Sequence, residues 1–96
     1  MIIIRELADV DTLRRRIKQG DILSVYDIHH DIKRYYWTYH GILTSSFEDG
    51  DYADYCYESE FRRDIRIALT EPDRYFIKLI EEETTEVVRL EEGAVI

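Results

Sequence analysis

Between Asp51 and Leu69 the apolar residues return every three or four positions. Ala53, Tyr57, Phe61, Ile65 and Ala68 would share one side of a helix. This periodicity constrains the chain more than any other feature, because it predicts one long amphipathic helix with Asp51 as its N-cap. The turn-forming stretch "EDGD" ends at that cap. Acids (Asp54, Glu58, Glu60) fill the first half of this segment and bases (Arg62, Arg63, Arg66) the second. A helix dipole favours that order, and Glu58 with Arg62 is an acid-before-base pair four residues apart. Most of the acidity of "FEDGDYADYCYESEF" thus has a structural explanation.

The rest of the chain must build a core around such a helix. It has 96 residues, 45% of them hydrophobic, with only four glycines and one proline. That is enough apolar material for one domain, spanning residues 1–96, and leaves little for linkers. "MIIIREL" reads as a short strand or buried lead-in. "DVDTLRRRIKQG" reads as a helix capped by Asp9 or Asp11, with Leu13 and Ile17 on one face and Gly20 as its stop. In "SVYDIHHDIKRYYWTYHG", Ser24 with Asp27 three later resembles a capping box, with Asp in place of Glu, and Val25, Ile28, Ile32, Tyr35 or Tyr36, and Tyr39 recur at helical spacing. This predicts a helix to about Tyr36, with Trp37 to Leu43 open between helix and strand. Pro72 ends the Asp51 helix, and "RYFIKLIEEETTEVVRLEEG" reads as a hairpin. The expected fold is α+β, about three helices and a C-terminal β-hairpin. Its core is Leu13, Ile17, Val25, Ile28, Ile32, Tyr57, Phe61, Ile65, Leu69, Phe76, Ile80 and Val88.

"YESEFRRDIRIAL" followed by "DRYFIKLIEEETTEVVRLEEG" resembles the C-terminal half of winged-helix domains, over roughly Tyr52 to Gly93. The resemblance implies a helix that enters the DNA major groove, followed by a two-stranded wing. It would place Ser59, Arg62, Arg63 and Arg66 at the DNA-reading surface. The tip of that wing, "EEETTE", is acidic where a wing near phosphate is usually basic. Some winged helices bind proteins instead.

Several kinds of chemistry find no support in the residues. With Gly50 at position six of a calcium loop, Ser45 and Phe47 fall on ligand positions and Cys56 on the twelfth, so the pattern fails. A loose carboxylate group at Asp49, Asp51 and Asp54 is what remains. His29, His30 and His40 do not converge with Cys56 at metal-ligand spacing. Cys56 sits among Tyr, Asp and Glu, which raise a thiol pKa, and no nucleophile elbow or phosphate loop occurs. The reading is of a non-enzymatic protein without metal or cofactor.

The net charge is −8, with the bases concentrated near the N-terminus and the acids toward the C-terminus. Such a chain does not hold nucleic acid non-specifically unless its bases converge. Neither a signal peptide nor an apolar run of membrane-spanning length is seen. The single cysteine allows no internal disulfide. The expected location is therefore the cytoplasm. The chain lacks Asn, has one Gln, and carries ten Arg against three Lys, a composition that leans toward thermophiles.

The expected function is a regulatory or inhibitory protein-interaction module. Its binding face would be Asp49, Asp51, Tyr52, Asp54, Tyr55 and Glu58, whose carboxylates can imitate a phosphate backbone. The partner would be a protein or a second copy, because an exposed "YYW" at Tyr35–Trp37 favours self-association. The alternative is a winged-helix DNA-binding regulator using Ser59, Arg62, Arg63 and Arg66.

Overall fold

The computed structural model describes the backbone of Ile2 and Ile3 and residues 9–48, 50 and 53–80. In chain order the elements are β1 (Ile2–Ile3), α1 (Val10–Lys18), β2 (Ile22–Asp27), β3 (Ile32–Tyr39), β4 (Ile42–Phe47), β5 (Asp54–Tyr55), α2 (Glu58–Thr70) and β6 (Tyr75–Ile80). The strands form one six-stranded antiparallel sheet in the order β1-β6-β2-β3-β4-β5. Both helices lie on one face of it. Leu13 and Ile17 from α1 and Phe61, Ile65 and Ala68 from α2 meet Leu23, Tyr36, Leu43, Ile77 and Leu79 from the sheet in a single core. Period-two alternation puts these sheet residues on one side, and the register Tyr36↔Leu23↔Leu79 lines them up across three strands.

The first helix follows its sequence signals. Asp9 is the cap, its Oδ1 accepting from the backbone N–H of Asp11 at 2.7 Å and of Thr12 at 3.2 Å. Gly20 stops the helix in the left-handed region, at φ 111°. The second helix is shorter than its periodicity suggests. Phe61, Ile65 and Ala68 are buried as expected, but the helix begins at Glu58, and Tyr57 ahead of it is 64% exposed. Asp54 and Tyr55 pair with Ser45 and Thr44 instead, and the Cys56 N–H bonds to the Leu43 carbonyl. Sheet pairing at the β4 edge has taken the residues that would have been the first turns. The expected cap, Asp51, lies outside the described residues. At the other end Glu71, ahead of Pro72, leaves the helical region.

The expected helix from Ser24 to Tyr36 is overturned. That segment is β2, a turn and β3. Asp27 Oδ1 accepts from the N–H of His29 and of His30, and Asp31 takes the left-handed conformation at φ 53°. An Asp whose side chain closes its own turn ends a strand as readily as it starts a helix. Trp37 to Leu43 also becomes strand, turn and strand. His40 (φ 50°) and Gly41 (φ 77°) form a two-residue loop between Tyr39 and Ile42, both with positive φ as a type I′ hairpin turn requires.

Among the described residues, the expected three helices with a C-terminal wing are thus replaced by two helices on a broad sheet, so the winged-helix-like arrangement does not hold. β6 is an interior strand between β1 and β2, not one arm of a two-stranded wing. The remainder of the expected hairpin, including Val88, lies outside the described residues. Ile28, Ile32, Tyr57 and Phe76, expected in the core, are exposed, while Leu23, Tyr36, Leu43, Cys56, Ile77 and Leu79 take their place. Among the described residues no helix is long and apolar enough to cross a membrane.

Candidate binding surface

One residue from each of the two surfaces suggested by the sequence, Glu58 and Arg62, belongs to a shared structural device. Glu58, expected on an acidic binding face, is gripped by Arg14 of α1, whose Nε and second guanidinium nitrogen donate to the carboxylate at 2.6 to 3.0 Å. This holds the Glu58 carboxyl below its usual range, Arg14's hydrogen bond being the main cause. Arg62, expected to read DNA, is bonded to Asp11 of α1, and that bond lowers the Asp11 carboxyl in turn. Arg14–Glu58 and Asp11–Arg62 therefore lace α1 to α2 with opposite polarity. Arg63 Nε donates to Asp64 Oδ1 at 3.2 Å. Ser59 and Arg66 are exposed on the same helix.

Asp54 and Tyr55 are exposed on the edge strand β5, where Tyr55 stacks edge-on against Tyr57 with ring centroids 5.0 Å apart. Asp49, Asp51 and Tyr52 lie outside the described residues. The "YYW" run does not form one patch, because strand alternation sends Tyr36 into the core while Tyr35 and Trp37 point to the other face.

Among the described residues no three His, Cys, Asp or Glu side chains are grouped as a metal site. His29 and His30 sit in the β2–β3 turn and His40 in the β3–β4 turn, at opposite ends of β3. Cys56 is buried, and burial together with the Glu60 carboxylate pushes its thiol up, away from the nucleophilic thiolate.

The site that sequence reasoning missed lies where the helices stop covering the sheet. β2, β3, β4 and β6 continue beneath and beyond α2, leaving an open groove of about 240 Å³. Its apolar rim is Ile32 (47% exposed), Phe47 (50%) and Ile67 (41%), above a floor that includes Val25, Tyr36 and Tyr75. Arg34 runs through its centre. One terminal nitrogen donates to Glu60 at 2.6 Å and to Ser45 Oγ at 2.9 Å, and the other lies 3.3 Å from Asp64. The guanidinium is also within 4.9 Å of the Tyr36 ring centroid and 5.2 Å of the Phe47 centroid. Burial pushes the Tyr36 phenol far up, so it stays neutral.

At the near end Asp27 forms a second hub. Arg74 donates to its two oxygens at 3.3 and 3.2 Å, and His30 Nδ1 lies 2.9 Å from Oδ2. Asp27 thereby ties the β2–β3 turn to the entry of β6, where Ile28 N–H also bonds to the Arg74 carbonyl. Read as a strand, "IKRYYWTY" would have placed Arg34 and Tyr36 on the same inward side. A base at an inward strand position was the signal available for this site.

Arg74's hydrogen bonds bring the Asp27 carboxyl down to about 2, against a burial that would raise it, and His30 assists. An unfolded Asp titrates near about 3.9. Because the folded value is the lower one, the stabilisation is present above about pH 4 and is lost as pH falls toward 2. Urea unfolding followed at about pH 5, 3 and 2 should show a shallower acid loss in Asp27→Asn than in wild type. Parallel pH profiles would remove Asp27 as a hub.

No protein-family model matches this chain, and no curated protein or solved structure compared with it is similar.

Proposed function

We propose that this protein is a non-enzymatic interaction module that binds protein through the Arg34 groove. The observation that carries the reading is the open end of the core face, where Ile32, Phe47 and Ile67 stand half-exposed around a cleft whose charged groups already hold ion-pair partners within the chain. Apolar side chains held on strands and a helix around fixed polar groups are what a protein anchor residue docks against. The raised, buried Cys56 thiol supports a role without covalent chemistry.

This moves the binding face away from the acidic segment. Of that segment, Asp54 and Tyr55 remain available, but Glu58 is already spent on Arg14. The alternative of a DNA-binding regulator draws little support from its arginines. Arg62 and Arg63 are bonded to Asp11 and Asp64, and the chain carries −8. Phosphates would have to compete with those carboxylates.

A random peptide display library panned against the whole protein tests this reading. The expected result is enrichment of peptides with a large apolar anchor, whose binding is lost in Ile67→Glu and kept in Arg62→Ala. If nothing is enriched, or if enriched peptides bind Ile67→Glu equally well, the groove is not a protein-binding site.

A further inference from the structure

From the groove's chemistry we infer that its occupant is a second copy of this chain, docked end to end about a two-fold axis. The inference rests on the protein-binding reading of the same groove and names its partner.

Charge decides between occupants. The groove's two acids and its base each hold ion-pair partners within the chain: Asp27 has Arg74 and His30, Asp64 has Arg34 and Arg63, and the two terminal nitrogens of Arg34 have Glu60 and Asp64, its Nε being buried without a partner. A basic ligand would have to take Asp64 from Arg34. An acidic one, nucleic acid included, would have to take Arg34 from two carboxylates while approaching a chain of charge −8. An occupant that offers apolar side chains and no net charge meets neither obstacle. Closing the groove over paired groups also strands no lone charge, which is the costly outcome of burying ions.

The same patch on another copy is a surface of that kind. Its rim carries Ile32, Phe47 and Ile67, and its charges cancel locally although those of the whole chain do not. Two chains of like charge are least repelled where each is neutral. A two-fold contact uses one patch twice, so a self-complementary apolar rim suffices.

The test is sedimentation velocity of the full chain from low micromolar to several hundred micromolar. Wild type should pass from monomer to dimer, with little change between low and high salt, since no ion pair crosses the contact. Ile67→Glu should weaken the dimer about a hundredfold by placing an unpaired carboxylate in it. Phe47→Ser should weaken it as well, and Tyr39→Ser, exposed at the opposite end of β3 from Ile32, should not. Circular dichroism melts confirm that the variants fold, as expected for rim residues half-exposed in the monomer. A protein that stays monomeric throughout overturns the inference, and so does a dimer indifferent to Ile67→Glu and Phe47→Ser. A monomer that still captures library peptides in an Ile67-dependent way would separate the two ideas: the module stands and the partner is a different protein.

Discussion

Replacing Phe61 with alanine should destabilise the protein by about 3–5 kcal/mol, measured as the shift in urea unfolding free energy. Phe61 is fully buried, and its ring meets Tyr36 edge-on with centroids 5.3 Å apart and planes 80° from parallel. It joins the second helix to the third strand at the centre of the single core. The loss combines the transfer free energy of the ring, the cavity left behind and the aromatic pair. The helices and strands around Phe61 also hold other core contacts, so the space is only partly refilled by relaxation. For a domain of this size that is a large part of the total stability. A loss under about 1 kcal/mol would mean that this helix face is not the one packed on the sheet. Tyr57, four residues earlier on the same expected stripe, provides the contrast. It is 64% exposed just ahead of α2, and Tyr57→Ala should cost well under about 1 kcal/mol.

The reach of sequence reasoning follows from which signals were local. The first helix is legible because its cap, its two core residues and its stop all lie within twelve positions, from Asp9 to Gly20. The C-terminal part of α2 is legible because Phe61, Ile65 and Ala68 keep one period. The segment from Ser24 to Tyr36 misled because Val25, Ile28 and Ile32 fit a helical stripe by spacing alone. The strand solution was decided elsewhere, by pairing Leu23 with Tyr36 on one side and Leu79 on the other. The Asp27 and Asp31 turn and the His40–Gly41 turn are local, but an Asp at a strand end and an Asp at a helix start look alike in sequence. The candidate site was the least legible part. Arg34 acquires Glu60 and Asp64 only when residues 26 and 30 positions away arrive on α2. Within the acidic and basic runs of this segment, Glu58 and Arg62 instead meet α1 and lace the two helices together.

Arg34→Ala should cost about 2–3 kcal/mol, more than the loss of any exposed arginine. Removing one member of a largely buried ion pair costs roughly 3–5 kcal/mol because its partner is left uncompensated, and the figure is lowered here because Glu60 and Asp64 keep some contact with water. Arg62→Ala breaks a pair whose members face solvent and should cost far less than Arg34→Ala. If the two variants are equally stable in urea, Arg34 is only another surface base. A double-mutant cycle with Glu60→Gln isolates the pair, and a coupling of at least about 1 kcal/mol is expected. Without Arg34, Glu60 loses its ion pair and Asp64 retains only Arg63, so the groove turns negative on a chain already at −8. The variant should therefore also lose self-association, and raising the salt should restore part of it by screening the exposed carboxylates. That salt dependence, expected in the variant and not in wild type, connects the stability of the cluster to the neutrality on which the proposed contact depends.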